Sequence, residues 1–433
     1  MKDKIINKPK ILIISIICII IFTNCGWRYS EVYQTNISPN NYSQTLNGLD
    51  VLELSNFELI SGKSIGLIVN HTSVNRDGKH FIDLLSSRSD IVVKIIFAPE
   101  HGFEGLLSAG ESVSDDIEQK TGAKIISLYG KNKKPKAVDI QNLDYLIFDI
   151  QDVGARYYTY TSTMTNVMQS AGENGVEVII LDRPNPVNGV EVQGPILETE
   201  FSSFVGMHPV TIRHGLTKGE LAIMINESDW LEKTNCKLTV IPMVNWMREM
   251  NWTQTNINWE APSPNIPNYK TAFLYLGMCL LEGTNISEGR GTDYPFLQFG
   301  APWADSEELT ILLSKQFSNG VTFTPMEFTP KSIPQAKYPK YENQLCQGIQ
   351  IHIDSYDINP IELGVRMIEV VHHLHPDKFK FLETNFIDKL YGSDMLRKTI
   401  ENGESIDSLI QKWTKEECDF CASREQFLIK SYK

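Results

Sequence analysis

The feature that most constrains this chain is a series of short, mostly apolar runs, each closed by a polar cluster. Ser64–Val69, Ile91–Ile96, Lys124–Leu128, Leu143–Ile150 and Val176–Leu181 read in turn as strands. Helical stretches separate them. In the one spanning Thr161–Asn174, Met164, Val167, Met168 and Ala171 recur at helical spacing. Strands that are apolar on both faces and alternate with helices indicate a parallel sheet covered on both sides. The expected fold is α/β, with a Rossmann-like parallel-sheet domain in the N-terminal half.

Open sheets of this kind bind ligands outside the carboxyl ends of their strands. Asn70-His71, Glu100-His101, Gln151-Asp152 and Asp182-Arg183-Pro184-Asn185 all fall there. One polar residue after a strand often only caps a turn or a helix. Four clusters converging on one edge mark a site. Glu100 is the strongest acid/base candidate, because Pro99 ends its strand and Gly102 and Gly105 allow a tight turn behind it. His101 and His214 have a competing reading as core histidines bonded to backbone carbonyls.

Several chemistries are disfavoured. Asn70-His71-Thr72-Ser73 follows the first strand where a dinucleotide site would need a glycine-rich turn, and no Walker motif occurs. His71 and His101 lack the i, i+4 helical spacing of a zinc pair. Neither cofactor nor metal is expected. The formal net charge is −13 with no basic block beyond the first ten residues, which argues against nucleic acid as a partner.

Two further stretches carry polar density that core packing does not require. Asp152–Tyr160 combines Arg156 with Tyr157, Tyr158 and Tyr160, a mixture of aromatic faces and polar groups suited to a sugar. Leu281–Thr292 follows an apolar helix and contains Glu282, Thr284, Asn285, Glu288 and Arg290. It reads as a loop facing the first domain's cleft. Glu282 and Glu288 are candidates for the second carboxyl group that glycoside hydrolysis commonly uses.

The N-terminus reads as a lipoprotein signal. Lys2, Lys4, Lys8 and Lys10 precede an apolar run, Ile11–Phe22, too short to span a bilayer comfortably. Thr23-Asn24 then leads to Cys25, the expected lipidation site. Residues 1–24 are thus a signal peptide and 25–47 a tether. A Rossmann-like domain with its connecting segment fills 48–268, and a smaller α+β domain fills 269–433. The implied location is the cell envelope, anchored to a membrane by lipid. The other cysteines outside the signal, Cys236, Cys279, Cys346, Cys418 and Cys421, lack framework spacing, so no disulfide scaffold is expected.

At this point the chain resembles a known family. Phe97-Ala98-Pro99-Glu100-His101-Gly102, Phe148–Arg156, Leu181–Pro186, Pro262-Ser263-Pro264-Asn265 and Leu281-Glu282-Gly283-Thr284-Asn285 are similar, in the same order, to motifs of the exo-β-N-acetylmuramidases, glycoside hydrolase family 171. The resemblance spans residues 48–430. It implies a cleft between two domains and release of N-acetylmuramic acid from the non-reducing ends of peptidoglycan fragments. It also implies Glu100 as the catalytic glutamate with Tyr157 or Tyr158 as partner. The lactyl carboxylate of muramic acid calls for a cation, for which Arg156, Arg183, Arg213 and Arg290 are candidates. Asn70, His71, His101, Gln151, Asp152, Asp182, Asn185, His214 and Asn265 complete the expected binding set. A non-catalytic cell-wall-binding lipoprotein is the alternative reading.

Overall fold

The structure is a computed structural model, and it describes residues 29–39, 42–105, 116–232 and 234–433. The expected signal segment and Cys25 lie outside the described residues. Among the described residues, no helix is long and apolar enough to cross a membrane.

Eight strands form the main sheet. Their order is β1 (Ser30–Val32), β10 (Leu238–Ile241), β7 (Glu177–Leu181), β6 (Tyr145–Asp149), β2 (Ser64–Val69), β3 (Val92–Ala98), β5 (Lys124–Ser127) and β4 (Asp116–Ile117). All neighbours run parallel except β4, which is antiparallel to β5. From β2 the chain winds outward through β3 and β5, then returns to build β6, β7 and β10 on the other side. The order reverses between β2 and β6. Carboxyl ends beside such a reversal open a crevice.

Alternation along each strand fills two cores. Ile65, Leu67 and Val69 share one face with Ile147, Ile179 and Leu181. Ile68 faces the other way with Leu146, Phe148, Val178 and Ile180. Each fully buried side chain of this kind contributes roughly 1.5–3 kcal/mol. The second core continues without a break into the C-terminal half, where Phe299, Ile351, Val371 and Trp413 belong to it.

Two segments differ from the sequence expectation. Ser30–Val32, inside the expected tether, form the edge strand β1 on β10. Three residues paired through their backbone leave no periodic signature. Leu238–Ile241, expected as a short strand of the connecting segment, is an inner strand of the main sheet.

The C-terminal half holds an antiparallel sheet, β11 (Gln298–Ala301), β13 (Cys346–Ile353) and β12 (Val321–Phe328). The helices Tyr269–Met278 and Pro360–Leu374 cross beside it at Gly277 and Gly364. A Cβ on Gly277 would lie 1.7 Å from the Pro360 carbonyl oxygen, so larger residues cannot occupy the crossing.

The end of the chain returns to the first half. In the helix Asp407–Arg424, Glu417 accepts from the Gly194 N–H at 2.7 Å and Glu416 from the Ile196 N–H at 2.9 Å. These bonds hold the hairpin of β8 (Gln193–Ile196) and β9 (Thr211–Arg213). Tyr432 donates to Asp182 at 2.7 Å and accepts from the Met243 N–H at 2.9 Å. Burial pushes the Asp182 carboxyl up to about 6, against its bonds from Tyr432, Gly219 and Thr217.

His208 gives the fold a titratable reporter. It is buried, stacks on Trp230 with centroids 5.0 Å apart, and shares a 2.9 Å hydrogen bond with Thr165. Burial lowers its pKa from 6.5 to about 4. Between these values the unfolded chain binds the proton and the fold does not, so stability falls as pH drops. At about 1.4 kcal/mol per pH unit, this one group costs roughly 3 kcal/mol by pH 4. In urea titrations between pH 7 and 4, His208→Gln is expected to lose less stability than the wild type by about that amount. Parallel curves for the two proteins would contradict this account.

Candidate active site

A cavity of about 490 Å³ opens beyond the carboxyl edge of the sheet. Glu100 reaches it from the end of β3. Gly102 N–H closes a turn on the Pro99 carbonyl at 3.0 Å, and His101 and Gly102 both take left-handed backbone angles, φ 71° and 78°. A non-glycine residue in that region is held there by its surroundings. Here the turn sends the Glu100 and His101 side chains into one cavity wall. Thr159 donates to Glu100 Oε2 at 2.7 Å and fixes one carboxylate oxygen.

Tyr157, Tyr158 and Thr159 come from the loop after β6, immediately before the helix Tyr160–Asn174. The Tyr157 hydroxyl donates to the carbonyls of Leu276 and Tyr275, at 2.5 and 3.1 Å, which pins the helix Tyr269–Met278 to this loop. Tyr158 packs edge-on against Tyr160 and Tyr275, with centroids 4.9 and 6.1 Å away. Burial first, then the nearby Tyr160, Asp152 and Glu100, push its phenol well above the ordinary value. It is therefore a neutral hydrogen-bond donor and not a base.

The far wall comes from the C-terminal half: Tyr275, Cys279, Glu282, Arg290 and Phe296. Arg290 donates twice to Glu282 Oε1, at 2.9 and 2.6 Å, and lies 3.6 Å from Glu288. Lys340 bonds Glu288 at 3.0 Å. Burial alone would raise the Glu288 carboxyl, but Lys340 and Arg290 outweigh it and hold it below the ordinary range. The cluster Glu282, Glu288, Arg290 and Lys340 is internally neutral.

Family models match at both halves of this arrangement. The one described as Exo-beta-N-acetylmuramidase NamZ, N-terminal, covers residues 65–270, and its C-terminal counterpart covers 273–429. The chain belongs to the exo-β-N-acetylmuramidase family. It is 40% identical over 408 residues to the peptidoglycan β-N-acetylmuramidase NamZ of Bacillus subtilis strain 168, covering 93% of this chain and 96% of that one. Two crystal structures of DUF1343 family proteins from Bacteroides fragilis share the fold. One has a TM-score of 0.83 at 32% identity, over 90% of this chain and 100% of that one. The other has a TM-score of 0.72 at 35% identity, over 89% and 99%.

In this member of the muramidase family, the cavity gathers Glu100, His101, Tyr157, Tyr158, Glu282 and Arg290 from the expected set. The remaining expected residues hold the walls and do not line it. Asn70 bonds the Tyr160 hydroxyl and Thr72. His71 sits 2.7 Å from the Ala261 carbonyl, and Gly105 packs so closely on its ring that a Cβ would overlap it. Gln151 bonds the carbonyls of Asp152 and Pro184. Asp152 forms a buried 2.6 Å ion pair with Lys218. Asp182 caps the turn at Thr217–Gly219. Asn185 bonds Leu216, His214 accepts from the Leu216 N–H, and Asn265 bonds Gln335. Thr284 and Asn285 close their own loop through Leu281, Lys378 and Lys380. Glu288 lies behind Arg290.

The arginines expected to grip a carboxylate are likewise engaged. Arg183 makes a bidentate pair with Asp149, at 2.6 and 2.9 Å. Arg213 bonds Gln193 and the Val187 carbonyl. Arg156 donates to the carbonyls of Pro195, Val210, Leu390 and Tyr391 at 2.7–3.0 Å. Burial lowers both Arg156 and Arg213 to about 10.

Lining residues that sequence reading missed include Tyr129, Lys133, Thr159, Phe204, Tyr275 and Phe296. Tyr129 and Lys133 lie in the lysine-rich loop after β5, whose position at the same sheet edge was their only signal.

Arg156→Lys tests the scaffold assignment. An ammonium offers at most three donors, without the planar fork, so at least one buried carbonyl loses its partner. The expected loss is about 2 kcal/mol or more, read as a lower urea midpoint. An unchanged midpoint would return Arg156 to the pool of ligand-binding residues.

Proposed function

We propose that this chain removes N-acetylmuramic acid from the non-reducing ends of peptidoglycan fragments, with Glu100 as general acid/base. The observation that carries this reading is a carboxylate held by Thr159 in an aromatic-walled cavity between the two halves of a family member. Protonation of a leaving glycosidic oxygen needs a fixed carboxyl group beside a partly dehydrated sugar. Tyr158 and Tyr275 put aromatic surface on the cavity wall against which a pyranose can pack, and the cavity volume suits one or two sugar units.

Of the two tyrosines, Tyr158 is the better partner for Glu100. The Tyr157 hydroxyl is already bonded to two helix carbonyls, whereas the Tyr158 hydroxyl makes no backbone bond among the described residues and lies beside Tyr160, in the same electrostatic environment as Glu100. As a neutral donor it can hold the 2-acetamido group or the ring oxygen. Glu282, already held by Arg290, fits a role in shaping the cavity rather than in proton transfer.

Glu100→Gln preserves size and the Thr159 contact. It is expected to lower kcat on a chromogenic β-glycoside of N-acetylmuramic acid by about 10²–10⁴-fold, with an unchanged melting temperature. Near wild-type turnover would remove Glu100 from the mechanism. Muropeptide binding with no product from the wild type would favour a cell-wall-binding protein instead.

The basic and apolar N-terminus supports a lipid anchor at Cys25 and a place in the cell envelope. Cys25→Ser should move the protein from the membrane fraction to the soluble fraction after cell lysis. Equal membrane retention of both forms would argue against lipidation at this residue.

A further inference from the structure

Muramic acid differs from glucosamine by a lactyl ether whose carboxylate is ionised at neutral pH. A cavity whose wall carries the Glu100 carboxylate repels that charge unless a cation answers it. Of the arginines expected to do so, Arg156 and Arg213 are bonded to backbone carbonyls or Gln193, and Arg183 is paired with Asp149. Arg290 lines the cavity, but its charge is already answered by Glu282 and Glu288. Lys218 is buried against Asp152.

Among the described residues lining the cavity, the other lysine or arginine is Lys133. It carries no carboxylate partner there. Its ammonium lies 4.4 Å from the ring centroid of Phe204, and Phe204 lies 6.2 Å from the ring of Tyr129, also a lining residue. An ammonium held against an aromatic face keeps its remaining donors outward, and a ligand carboxylate can take them without breaking an existing ion pair. The Lys133 side chain is exposed, so an anion entering the cavity can reach it.

We propose that Lys133, supported by Phe204, receives the lactyl carboxylate and is the residue that selects muramic acid over its neutral relatives. This rests on the hydrolase reading of the cavity and adds a specificity determinant to it. Lys133 takes no part in bond cleavage, so its loss should appear in KM and not in kcat.

The test compares two chromogenic glycosides, one of N-acetylmuramic acid and one of its lactyl methylamide, which lacks the charge. The wild type should favour the acid about tenfold in kcat/KM. In Lys133→Gln that preference should fall to within about twofold, through a higher KM for the acid alone. Lys133→Arg should keep most of it. An unchanged preference in Lys133→Gln, or equal losses on both glycosides, would overturn the assignment while leaving the hydrolase reading intact. A wild type that cleaves neither glycoside would instead overturn the hydrolase reading, and this assignment with it.

Discussion

The guanidinium of Arg156 is bonded to four carbonyl oxygens, those of Pro195 and Val210 in the first half and of Leu390 and Tyr391 in the second. It is buried, and Gly392 packs against it so closely that a Cβ would come within 2.7 Å. Desolvating an arginine is costly, and an unpaired one in this position would not be tolerated. Bonded in this way, it fixes the spacing between the halves. The residues that follow it, Tyr157, Tyr158 and Thr159, form the near wall of the cavity. Tyr157 repeats the device by bonding the helix Tyr269–Met278. The site's geometry is thus set by polar bonds to backbone, which tolerate less displacement than apolar contacts would.

Much of the first half was legible because a parallel sheet buried on both faces needs continuous apolar strands. β2, β3, β5, β6 and β7 each show one. β12 was harder to see, since Pro325 interrupts its pattern. That proline is tolerated because β12 is an edge strand bonded only to β13. The short helices Phe386–Tyr391 and Met395–Glu401 are too brief for a periodic signature.

The site was legible as an edge of the sheet more than as a set of residues. Carboxylates, amides and guanidinium groups at strand ends serve equally well to bind a sugar and to satisfy loop backbone. Asn70, Gln151, Asp182, Arg183 and Asn185 do the second. Glu100 differs because a turn with two left-handed residues carries it past this layer. Chemical type was the same in both cases, and only position separates them. Lys133 and Phe204, lacking any motif, could be placed only by the fold.

The bond from Tyr432 to Asp182 also bears on how the molecule comes into being. Residue 432 closes a polar hub at the carboxyl end of β7, and Trp246 packs edge-on against its ring at 5.0 Å. The polar hub at Asp182 therefore stays open until residue 432 is in place. All eight strands of the main sheet precede residue 242, so what waits for the C-terminal segment is the hub and not the pairing of the sheet. The cavity, walled by residues of both halves, exists only once both are in place.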